Sequence, residues 1–511
     1  MEEMKQTGVQ WIGEIPATWN TKRIKYMATL KGRIGWQGLT SEEYQDEGAY
    51  LITGVDFVDG GIDWENCVHV PMKRWEEAKD IQIQNGDLLI TKDGTIGKVA
   101  LVSDMPGETS LNSGVLRIMP IEGYSRRFLY WVIKSEEFWN WFNYKNAGNS
   151  TIVHLYQGDF AEFLYAFPDY VEQELIADYL DKHCGKLDGI IEDLESQIEK
   201  LRAYRKAKIT EIVTKGLDRS VPMKDSGIIT IGQIPAHWDA KKLKYALASP
   251  LQYGANEAGD DYDDDNPRYI RITDITEDNA LKEDGKLSLR ADLAKPYMLK
   301  DGDVLFARSG ATVGKTFYYT SDYGPSAFAG YLIKANTDRG KLNPRFLFYT
   351  TLGVGYENWK NTVFTQATIQ NIGADKYAAL PVTLPPIEEQ SILIEYLDKV
   401  CTEVDATISI KSAQLEAIRK HKNSLIFEYV TGKKCLKCLT GLLKKPLDTR
   451  CHNLRFSLMQ ILRILVASIT PWLMNASIGG AIGIILIING TTKMVRNLHS
   501  VVTKLFLLQE V

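Results

Sequence analysis

Apolar residues recur at steps of three and four along two long segments of the chain, one near its middle and one well towards its end. The stripe of the first segment consists of Leu187, Ile191, Leu194, Ile198 and Leu201. The stripe of the second consists of Val404, Ile408, Leu415, Ile418 and Leu425. This spacing is typical of helices that pack along one apolar seam. The pattern predicts two helices, each of about 40 residues and about 60 Å.

Prolines mark the predicted start of each long helix. Pro168 precedes the first segment, and Pro385 with Pro386 precedes the second. Proline followed by acidic residues is a common signature of a helix start, because the fixed φ and missing N–H suit the first turn. We therefore place the two helices at residues 169–216 and 386–432.

A different pattern fills the regions that precede the helices, residues 8–168 and 227–385. Short runs rich in apolar and β-branched residues alternate there with Gly-Asp and Asp-Gly turns. The runs that we predict as strands are Ala49–Thr53, Asp87–Thr91, Val99–Val102, Arg268–Ile272 and Asp303–Phe306. Each region is therefore predicted to form one mixed domain of strands and helices.

The two halves of the chain repeat one another. Gly13-Glu-Ile-Pro-Ala-Thr-Trp19 returns as Gly232-Gln-Ile-Pro-Ala-His-Trp238, Gly86-Asp-Leu-Leu89 as Gly302-Asp-Val-Leu305, and Tyr179-Leu-Asp181 as Tyr396-Leu-Asp398. The order is kept and the offset stays at about 217 residues, far longer than solenoid repeats of about 20–50 residues. The chain therefore contains a tandem duplication of a domain with its helix.

The linker between the repeats, residues 217–226, restricts how they are arranged. About ten residues span at most about 35 Å, so the second domain must begin near the far end of the first helix. The second helix must then return antiparallel to the first. The predicted fold class is α/β (mixed α+β), with two tandem domains, each followed by a long helix, and the helices packed as an antiparallel coiled coil with pseudo-twofold symmetry.

The composition is that of an ordinary globular protein, with 44% hydrophobic and 24% charged residues. Six scattered cysteines are consistent with reduced thiols, and the N-terminus has no apolar signal core. These features predict a cytoplasmic protein. A net charge of −5 argues against a free-standing nucleic-acid binder, although charge is local and the acidic run 260–265 offsets basic patches elsewhere.

Three motifs that occur twice in the same order give the chain a family resemblance. They are Ile15-Pro16-x-x-Trp19 with Ile234-Pro235-x-x-Trp238, Lys92-Asp-Gly-Thr-Ile-Gly-Lys98 with Arg308-Ser-Gly-Ala-Thr-Val-Gly-Lys315, and Pro168-x-x-x-x-Gln173 with Leu384-Pro-Pro-Ile-Glu-Glu-Gln390. Over about residues 8–431 the chain resembles the specificity subunit of type I restriction–modification enzymes.

The resemblance implies a non-catalytic DNA-binding subunit. In that family each mixed domain is a target-recognition domain for half of a bipartite sequence on double-stranded DNA. The helices are spacers that dock two modification (methyltransferase) subunits, and restriction (translocase/nuclease) subunits bind to that core. No cofactor is expected in this chain, whereas S-adenosylmethionine, ATP and Mg²⁺ are expected in the partner subunits.

A glycine-rich loop in each domain is the first candidate for contact with DNA. The loop that begins at Gly310 resembles a nucleotide-binding loop, but three residues separate its glycines where such a loop has four. A plain turn between strands is the simplest interpretation, and a turn that contacts a DNA phosphate or groove is the functional one. The candidate residues are Lys92, Thr95, Lys98, Arg308, Ser309, Thr312 and Lys315.

A polar segment that follows in each domain, residues 148–154 and 365–371, is the second candidate. Asn and Gln side chains can form two hydrogen bonds with an adenine edge. A solvated surface loop is the alternative interpretation. The candidate residues are Asn149, Ser150, Thr151, His154, Gln366, Thr368, Gln370 and Asn371.

Basic clusters open each domain, and we interpret them as solvated surface, with steering of DNA phosphates as the alternative. Their members are Lys22, Arg23, Lys25, Lys31 and Arg33 in the first domain and Lys241, Lys242 and Lys244 in the second. The aromatic residues Trp19, Trp238 and those of the run 138–142 are expected in the core, because their neighbours are apolar.

Catalytic patterns are incomplete in this sequence. Pro168-Asp169 is not followed by Glu-x-Lys, and the sequence lacks Asp/Asn-Pro-Pro-Tyr. We therefore expect neither an enzyme nor a metal protein. The competing hypothesis is a coiled-coil scaffolding protein whose end domains bind protein, which the low net basicity favours.

The C-terminal residues 433–511 depart from the family pattern. The segment from Ile464 to Thr492 contains no charged residue. It is long enough for a membrane span of about 20 residues. Cys435-x-x-Cys438 with Cys451-His452 contains zinc-ligand types, but at awkward spacing. We favour a non-homologous hydrophobic extension without membrane association, and expect truncation after Lys434 to leave DNA recognition intact.

Overall fold

The computed structural model contains two mixed domains attached to a pair of long helices. It describes residues 3–33, 39–147, 154–310, 312–365, 371–435, 484–488 and 491–495. The chain up to Lys434 forms one compact unit, and Cys435–Val511 form another. Both domains and both long helices belong to the first unit.

The two long helices begin and end with clear local signals. The first long helix spans Tyr170–Lys215 and the second long helix spans Ile387–Val430. The Asp169 side chain accepts the N–H of Glu172 at 3.0 Å, which satisfies one of the free donors of the first turn. The first long helix ends at Gly216, whose φ of 70° suits glycine better than any other residue.

Polar side chains pair the two long helices in opposite directions. Asp188 pairs with Lys422, Glu195 with Arg419, Gln197 with Lys411 and Arg205 with Asp405. Residue numbers fall along the second long helix as they rise along the first, so the helices are antiparallel. The predicted antiparallel pair is therefore confirmed.

The apolar stripes lie between the helices. Leu194, Ile198 and Leu415 form a buried cluster against which Ile191, Ile408 and Ile418 pack. Val404 and Leu425 are also buried, and Leu187 and Leu201 are half-buried. Two buried cysteines that the sequence pattern did not identify, Cys184 and Cys401, continue the stripe in the direction of each helix start.

The first domain contains two small sheets. The four-stranded antiparallel sheet has the order Val99–Leu101, Leu88–Thr91, Val115–Pro120 and Ala28–Gly32. The second sheet has the order Thr109–Leu111, Ala49–Ile52 and Val68–Val70, with the first pair parallel. Every residue of Leu88–Thr91 is buried, so this strand is the centre of the domain.

The remaining elements of the first domain are two-stranded sheets and short helices. The paired strands are Met4–Gln6 with Glu14–Pro16, Asn20–Arg23 with Leu164–Phe167, and Phe57–Val58 with Gly61–Ile62. The α-helices are Met72–Glu77, Arg126–Lys134, Glu136–Lys145 and Gln157–Ala161. The Arg126–Lys134 helix contacts both long helices.

The second domain repeats this plan. Its first sheet has the order Thr316–Tyr318, Val304–Ala307, Leu332–Ala335 and Gln252–Tyr253, and its second has the order Asp260–Asp261, Leu287–Ser288, Arg268–Ile270 and Ser326–Phe328. The two-stranded sheets are Met223–Asp225 with Gln233–Pro235 and Asp239–Lys242 with Pro381–Leu384. The α-helices are Ala291–Ala294, Pro344–Leu352, Val354–Thr365 and Ala374–Ala378.

The domains begin earlier than residues 8 and 227, where the sequence analysis placed them. Met4–Gln6 and Met223–Asp225 each pair with the strand of the following Ile-Pro motif. The second of these strands lies within the predicted linker 217–226. The difference arises because each strand has only three residues, all exposed, and is too short to show hydrophobic alternation.

A buried glutamine near the start of each long helix holds the adjoining domain. Gln173 Oε1 accepts the N–H of Ser125 at 2.9 Å, and its Nε2 donates to the carbonyl of Pro168 at 2.9 Å. In the second half, Gln390 Oε1 accepts the N–H of Asn343 at 2.7 Å, and its Nε2 donates to the corresponding proline at 2.8 Å. This contact is the structural reason for the Pro-x-x-x-x-Gln motif.

The aspartate of each Tyr-Leu-Asp motif makes the next contact along the helix. Asp181 accepts hydrogen bonds from Arg127 at 3.1 Å and Trp131 at 2.7 Å. Asp398 accepts one from Arg345 at 2.8 Å. Both arginines lie on the domain helix that contacts the long helices, so each repeat fixes its domain in the same way.

Each long helix ends against the tryptophan that opens the other half of the chain. A Cβ at Gly216 would lie 3.1 Å from the Trp238 ring, and one at Gly432 would lie 3.2 Å from the Trp19 ring. Both tryptophans are buried, as predicted. The first domain therefore lies where the first long helix begins and the second ends, and the second domain lies at the opposite end of the pair.

The aromatic run 138–142 is only partly in the core. Phe138, Trp141 and Phe142 are buried, but Trp139 is 38% exposed, so its placement in the core was wrong. Its ring lies over Gly97, where a Cβ would be 2.8 Å away. Trp139 therefore covers a loop at the domain surface and does not fill the interior.

The C-terminal unit is described only as a hairpin of Ile484–Ile488 with Thr491–Val495. The charge-free segment from Ile464 lies mostly outside the described residues, as do the Cys438, Cys451 and His452 of the zinc alternative. Within the described ranges, no helix combines the length and the apolar character needed to cross a membrane.

Candidate nucleic-acid interface

The glycine loop of each domain joins the central strand to its edge neighbour. The Gly97 N–H donates to the Thr91 carbonyl at 3.0 Å, and the Gly314 N–H donates to the Ala307 carbonyl at 2.9 Å. The loop glycines have positive φ, namely Gly94 at 70°, Gly97 at 78°, Gly310 at 76° and Gly314 at 83°. Tight turns of this kind need glycine, because other residues are strained at positive φ.

The described end of the second candidate segment in each domain, at His154 and Asn371, lies beside the glycine loop. The Leu155 N–H donates to the Lys92 carbonyl at 3.0 Å, and the Ile372 N–H donates to the Arg308 carbonyl at 2.8 Å. Segments more than sixty residues apart in the chain are thus brought together at the same end of the four-stranded sheet in both domains. This doubled loop pair is the candidate nucleic-acid interface.

The lysines of the first glycine loop differ in their surroundings. Lys98 is exposed, but its Nζ donates to the Phe57 carbonyl at 3.3 Å. Lys92 is half-buried, and Thr95 is exposed beside the Gly54 carbonyl, to which its hydroxyl donates at 3.5 Å. Lys98 is therefore directed at its own domain, whereas Lys92 remains at the junction of the two candidate segments.

His154 connects the two candidate segments of the first domain. Its Nδ1 lies 2.7 Å from Asp93 Oδ1, and both side chains are partly exposed. No sequence pattern marks Asp93 as the partner of His154. The neighbouring candidates Asn149, Ser150 and Thr151 lie outside the described residues.

The second glycine loop has its lysine paired with an acid. Lys315 Nζ lies 2.6 Å from Glu277 Oε1, and hydrogen bonding to this ammonium lowers the pKa of Glu277. Thr312 is half-buried, and within the described residues its hydroxyl has no hydrogen-bond partner. Because Lys315 is engaged by Glu277, its geometry differs from that of a lysine held ready for a nucleotide phosphate.

The polar residues beside this loop come from both candidate segments. Ser309 and Asn371 form a β-bridge, with Ser309 half-buried and Asn371 exposed. The carbon at the centre of the Arg308 guanidinium lies 4.9 Å from the centre of the Tyr253 ring. The candidates Gln366, Thr368 and Gln370 lie outside the described residues.

A cleft of about 910 Å³ extends from the second glycine loop to both long helices. Its lining carries both signs of charge, with Arg202, Arg205, Lys206, Lys315 and Lys360 beside Glu277, Asp278, Glu357 and Asp405. The second glycine loop and both long helices therefore line the same cleft.

A buried ion pair anchors the opposite end of each central strand. Arg117 Nε lies 2.8 Å from Asp87, and Lys334 Nζ lies 3.8 Å from Asp303. Burial raises the pKa of Asp303 and lowers the pKa of Lys334. The Gly-Asp motif that marks the repeat thus holds the strand that carries the glycine loop.

The basic side chains of the first domain's cluster have partners within the protein, unlike the solvated side chains that the sequence predicted. Arg33 is 6% exposed and donates to the Leu111 carbonyl at 2.7 Å, so its placement on the surface was wrong. Arg23 and Lys25 both pair with Glu162. Lys22 and Lys31 also have partners, a tyrosine hydroxyl and an aspartate.

The cluster of the second domain keeps more of its charge at the surface. Lys242 and Lys244 are exposed, and Lys244 lies over the Tyr245 ring at 4.9 Å. Lys241 pairs with Asp239 at 2.8 Å.

Comparison with known proteins agrees with this duplicated architecture. The family model for the type I restriction modification DNA specificity domain matches residues 16–200 and 256–419, together more than half of the chain. The chain therefore belongs to the type I restriction–modification DNA specificity family.

Several members resemble it over nearly their whole length. A putative type I restriction enzyme MjaX specificity subunit from Methanocaldococcus jannaschii is 26% identical over 83% of this chain and 95% of its own. The StySPI specificity subunit from Salmonella potsdam and the EcoKI specificity subunit from Escherichia coli are each 22% identical over 77% of this chain and 84% of their own.

A solved structure has the same fold. It comes from work on complex assembly and conformational transition of the type I R-M system, and it covers 82% of this chain and 99% of its own with a TM-score of 0.58 and 15% identity.

Proposed function

We propose that this chain is the DNA specificity subunit of a type I restriction–modification complex, and that each domain recognises one half of a bipartite target. The observation that carries the proposal is the doubled loop pair. In both domains the glycine loop meets the described end of the polar segment, and the domains lie at opposite ends of one helix pair. Two binding surfaces held apart in this way match two separated sites on one duplex.

The helix pair sets the distance between the half-sites in this proposal. Its length is fixed by continuous backbone hydrogen bonding and by the buried seam around Leu194, Ile198 and Leu415. One added helical turn is about 5.4 Å, equivalent to about 1.6 base pairs at about 3.4 Å per base pair. The number of unspecified base pairs therefore follows from the number of helical turns.

Membership of the specificity family supports the partners that we propose. Two modification subunits dock on the two similar faces of the helix pair, and restriction subunits bind to that core. The chain itself is non-catalytic and carries no cofactor; the partner subunits bind S-adenosylmethionine, ATP and Mg²⁺. The complex acts in the cytoplasm.

An insertion experiment tests the spacing. Four residues are inserted after Lys200, together with four at the facing position after Ile410, so that the antiparallel register is kept. Methylated sites are then sequenced in a host that expresses the chain with its modification partner. We expect both half-sites to persist and the gap between them to grow by one or two base pairs.

The matched control is a four-residue insertion in the linker after Leu217, which leaves the helix pair unchanged. This control is expected to keep the original gap. A gap that is the same in both variants would contradict the proposal that the helices set the spacing.

A further inference from the structure

Arg308 has a fixed backbone position at the edge of the second domain's interface. It follows the buried central strand Val304–Ala307. Its N–H donates to the Tyr331 carbonyl at 3.0 Å, and its carbonyl accepts the N–H of Ile372 at 2.8 Å. Hydrogen bonds on both sides of the Arg308 Cα therefore fix the position from which its side chain extends.

Tyr253 supports the guanidinium of Arg308. The centre of its ring lies 4.9 Å from the guanidinium carbon, a distance at which a cation is attracted to an aromatic face. The tyrosine hydroxyl accepts the N–H of Ala374 at 2.9 Å, which fixes the ring. Tyr253 is 42% exposed, so the stacked pair is at the surface.

Arg308 forms no ion pair within the part of the chain that the structure describes. Lys315 on the same loop pairs with Glu277 at 2.6 Å, whereas the buried Nε of Arg308 has no hydrogen-bond partner among the described residues. An immobilised guanidinium without a carboxylate is suited to an external acceptor, because its planar fork loses little further freedom on binding.

The first domain lacks this arrangement. Lys92 occupies the position that corresponds to Arg308, and Gly32 occupies the register that corresponds to Tyr253. A lysine ammonium is a point charge without a planar fork, and glycine offers no ring to support it. The pair of Arg308 and Tyr253 is thus a feature of the second domain.

We infer that Arg308, held on Tyr253, recognises a guanine in the half-site of the second domain. This inference rests on the proposed function and names one base for it. Guanine presents O6 and N7 as adjacent acceptors in the major groove, and an arginine fork donates to both at once. The second half-site therefore contains at least one obligatory G·C pair that depends on this side chain.

The test compares Arg308→Lys with the unaltered chain, each expressed with its modification partner, by sequencing methylated sites. Arg308→Lys keeps the positive charge but loses the fork. The expected result is a loss of preference of about 10- to 100-fold at one G·C pair of one half-site, with the other half-site and the gap unchanged. Lys92→Ala is the matched control, since its effect is confined to the opposite half-site.

Two tyrosine variants separate the support of the ring from general stability. Tyr253→Phe keeps the ring and loses only the hydroxyl contact with the Ala374 N–H, so it is expected to keep more of the guanine preference than Tyr253→Leu, which removes the ring. Gel filtration establishes that each variant still assembles with its partner. If Arg308→Lys does not assemble with the modification partner, the guanine preference of Tyr253→Leu tests the inference by itself.

The inference and the proposed function fail in different ways. A bipartite wild-type target with no G·C pair sensitive to Arg308 or Tyr253 overturns the inference alone. So does an equal loss at every position of the half-site in an assembled complex. A wild-type chain that directs no bipartite methylation overturns the proposed function itself.

Discussion

The two domains share their attachment to the helices and differ in their loops. Gln173 and Gln390 make corresponding hydrogen bonds to the domain helices, and Asp181 and Asp398 both accept bonds from arginine. At the interface, in contrast, Lys92 stands where the second domain has Arg308. The duplication has thus kept the contacts that fix each domain and varied the surface it presents.

The support behind each glycine loop shows the same divergence. The ring of Trp139 lies over Gly97 in the first domain, whereas the aliphatic part of Lys360 lies over Gly314 in the second. Lys360 in turn pairs with Glu357 at 2.8 Å. One loop is therefore backed by an aromatic surface and the other by a charged one, and the two half-sites are expected to differ in sequence.

The largest expected difference between the domains concerns pH. Burial raises the pKa of Glu137 to about 8, and Gly355 takes the corresponding place in the second domain. The folded carboxyl holds its proton where the unfolded one, near its usual value of 4.5, has lost it. The stability of the first domain therefore falls between pH 4.5 and about 8.

Replacement of Glu137 with Gln removes this dependence. Above pH 8 the variant is expected to be more stable than the parent by a few kcal/mol, since each pKa unit corresponds to about 1.4 kcal/mol. Hydrogen exchange at several pH values, resolved by domain, measures the effect. An equal gain at pH 4 and pH 9 would argue against titration of this carboxyl.

The contacts of Gln173 and Gln390 are expected to contribute equally to the stability of their two domains. Gln173→Leu and Gln390→Leu each leave buried N–H and carbonyl groups without partners, at a cost of about 2–3 kcal/mol. Each variant should loosen its own domain helix and spare the other. Hydrogen exchange resolved by domain measures both effects. If one of the two variants leaves the exchange of its domain unchanged, the two contacts are not equivalent.

The smallest expected effect concerns the ion pairs between the helices. Arg205 with Asp405 and Lys422 with Asp188 occupy corresponding places at the two ends of the seam. The carboxylates are about half exposed, so each pair contributes about 0.5 kcal/mol at most. Double-mutant cycles on thermal unfolding should give small and similar coupling energies, and a coupling above about 2 kcal/mol at one end would break the symmetry.

Sequence alone was sufficient for the parts of the molecule that local periodicity determines. The three- and four-residue steps predicted both long helices, and the turn-bounded apolar runs predicted the central strands. The antiparallel direction followed from the short linker, because chain length limits reach. These features depend on neighbours in the chain.

The rest depends on contacts between distant segments, which periodicity does not encode. Gln173 was part of a recognised motif, but its partner Ser125 is far away in the chain. Arg33 belonged to a basic cluster, yet it is buried against a neighbouring strand. Tyr253 gave no signal at all, since its role arises only from the register that places its ring beneath Arg308.

The central claim is that two separate recognition surfaces at opposite ends of one helix pair bind two separated sites on one duplex. Sequencing of methylated bases in a host that expresses this chain with its modification partner tests it most directly. The account predicts one motif made of two short specified sequences with a constant unspecified gap. A single contiguous motif, or methylation without sequence preference, would contradict it.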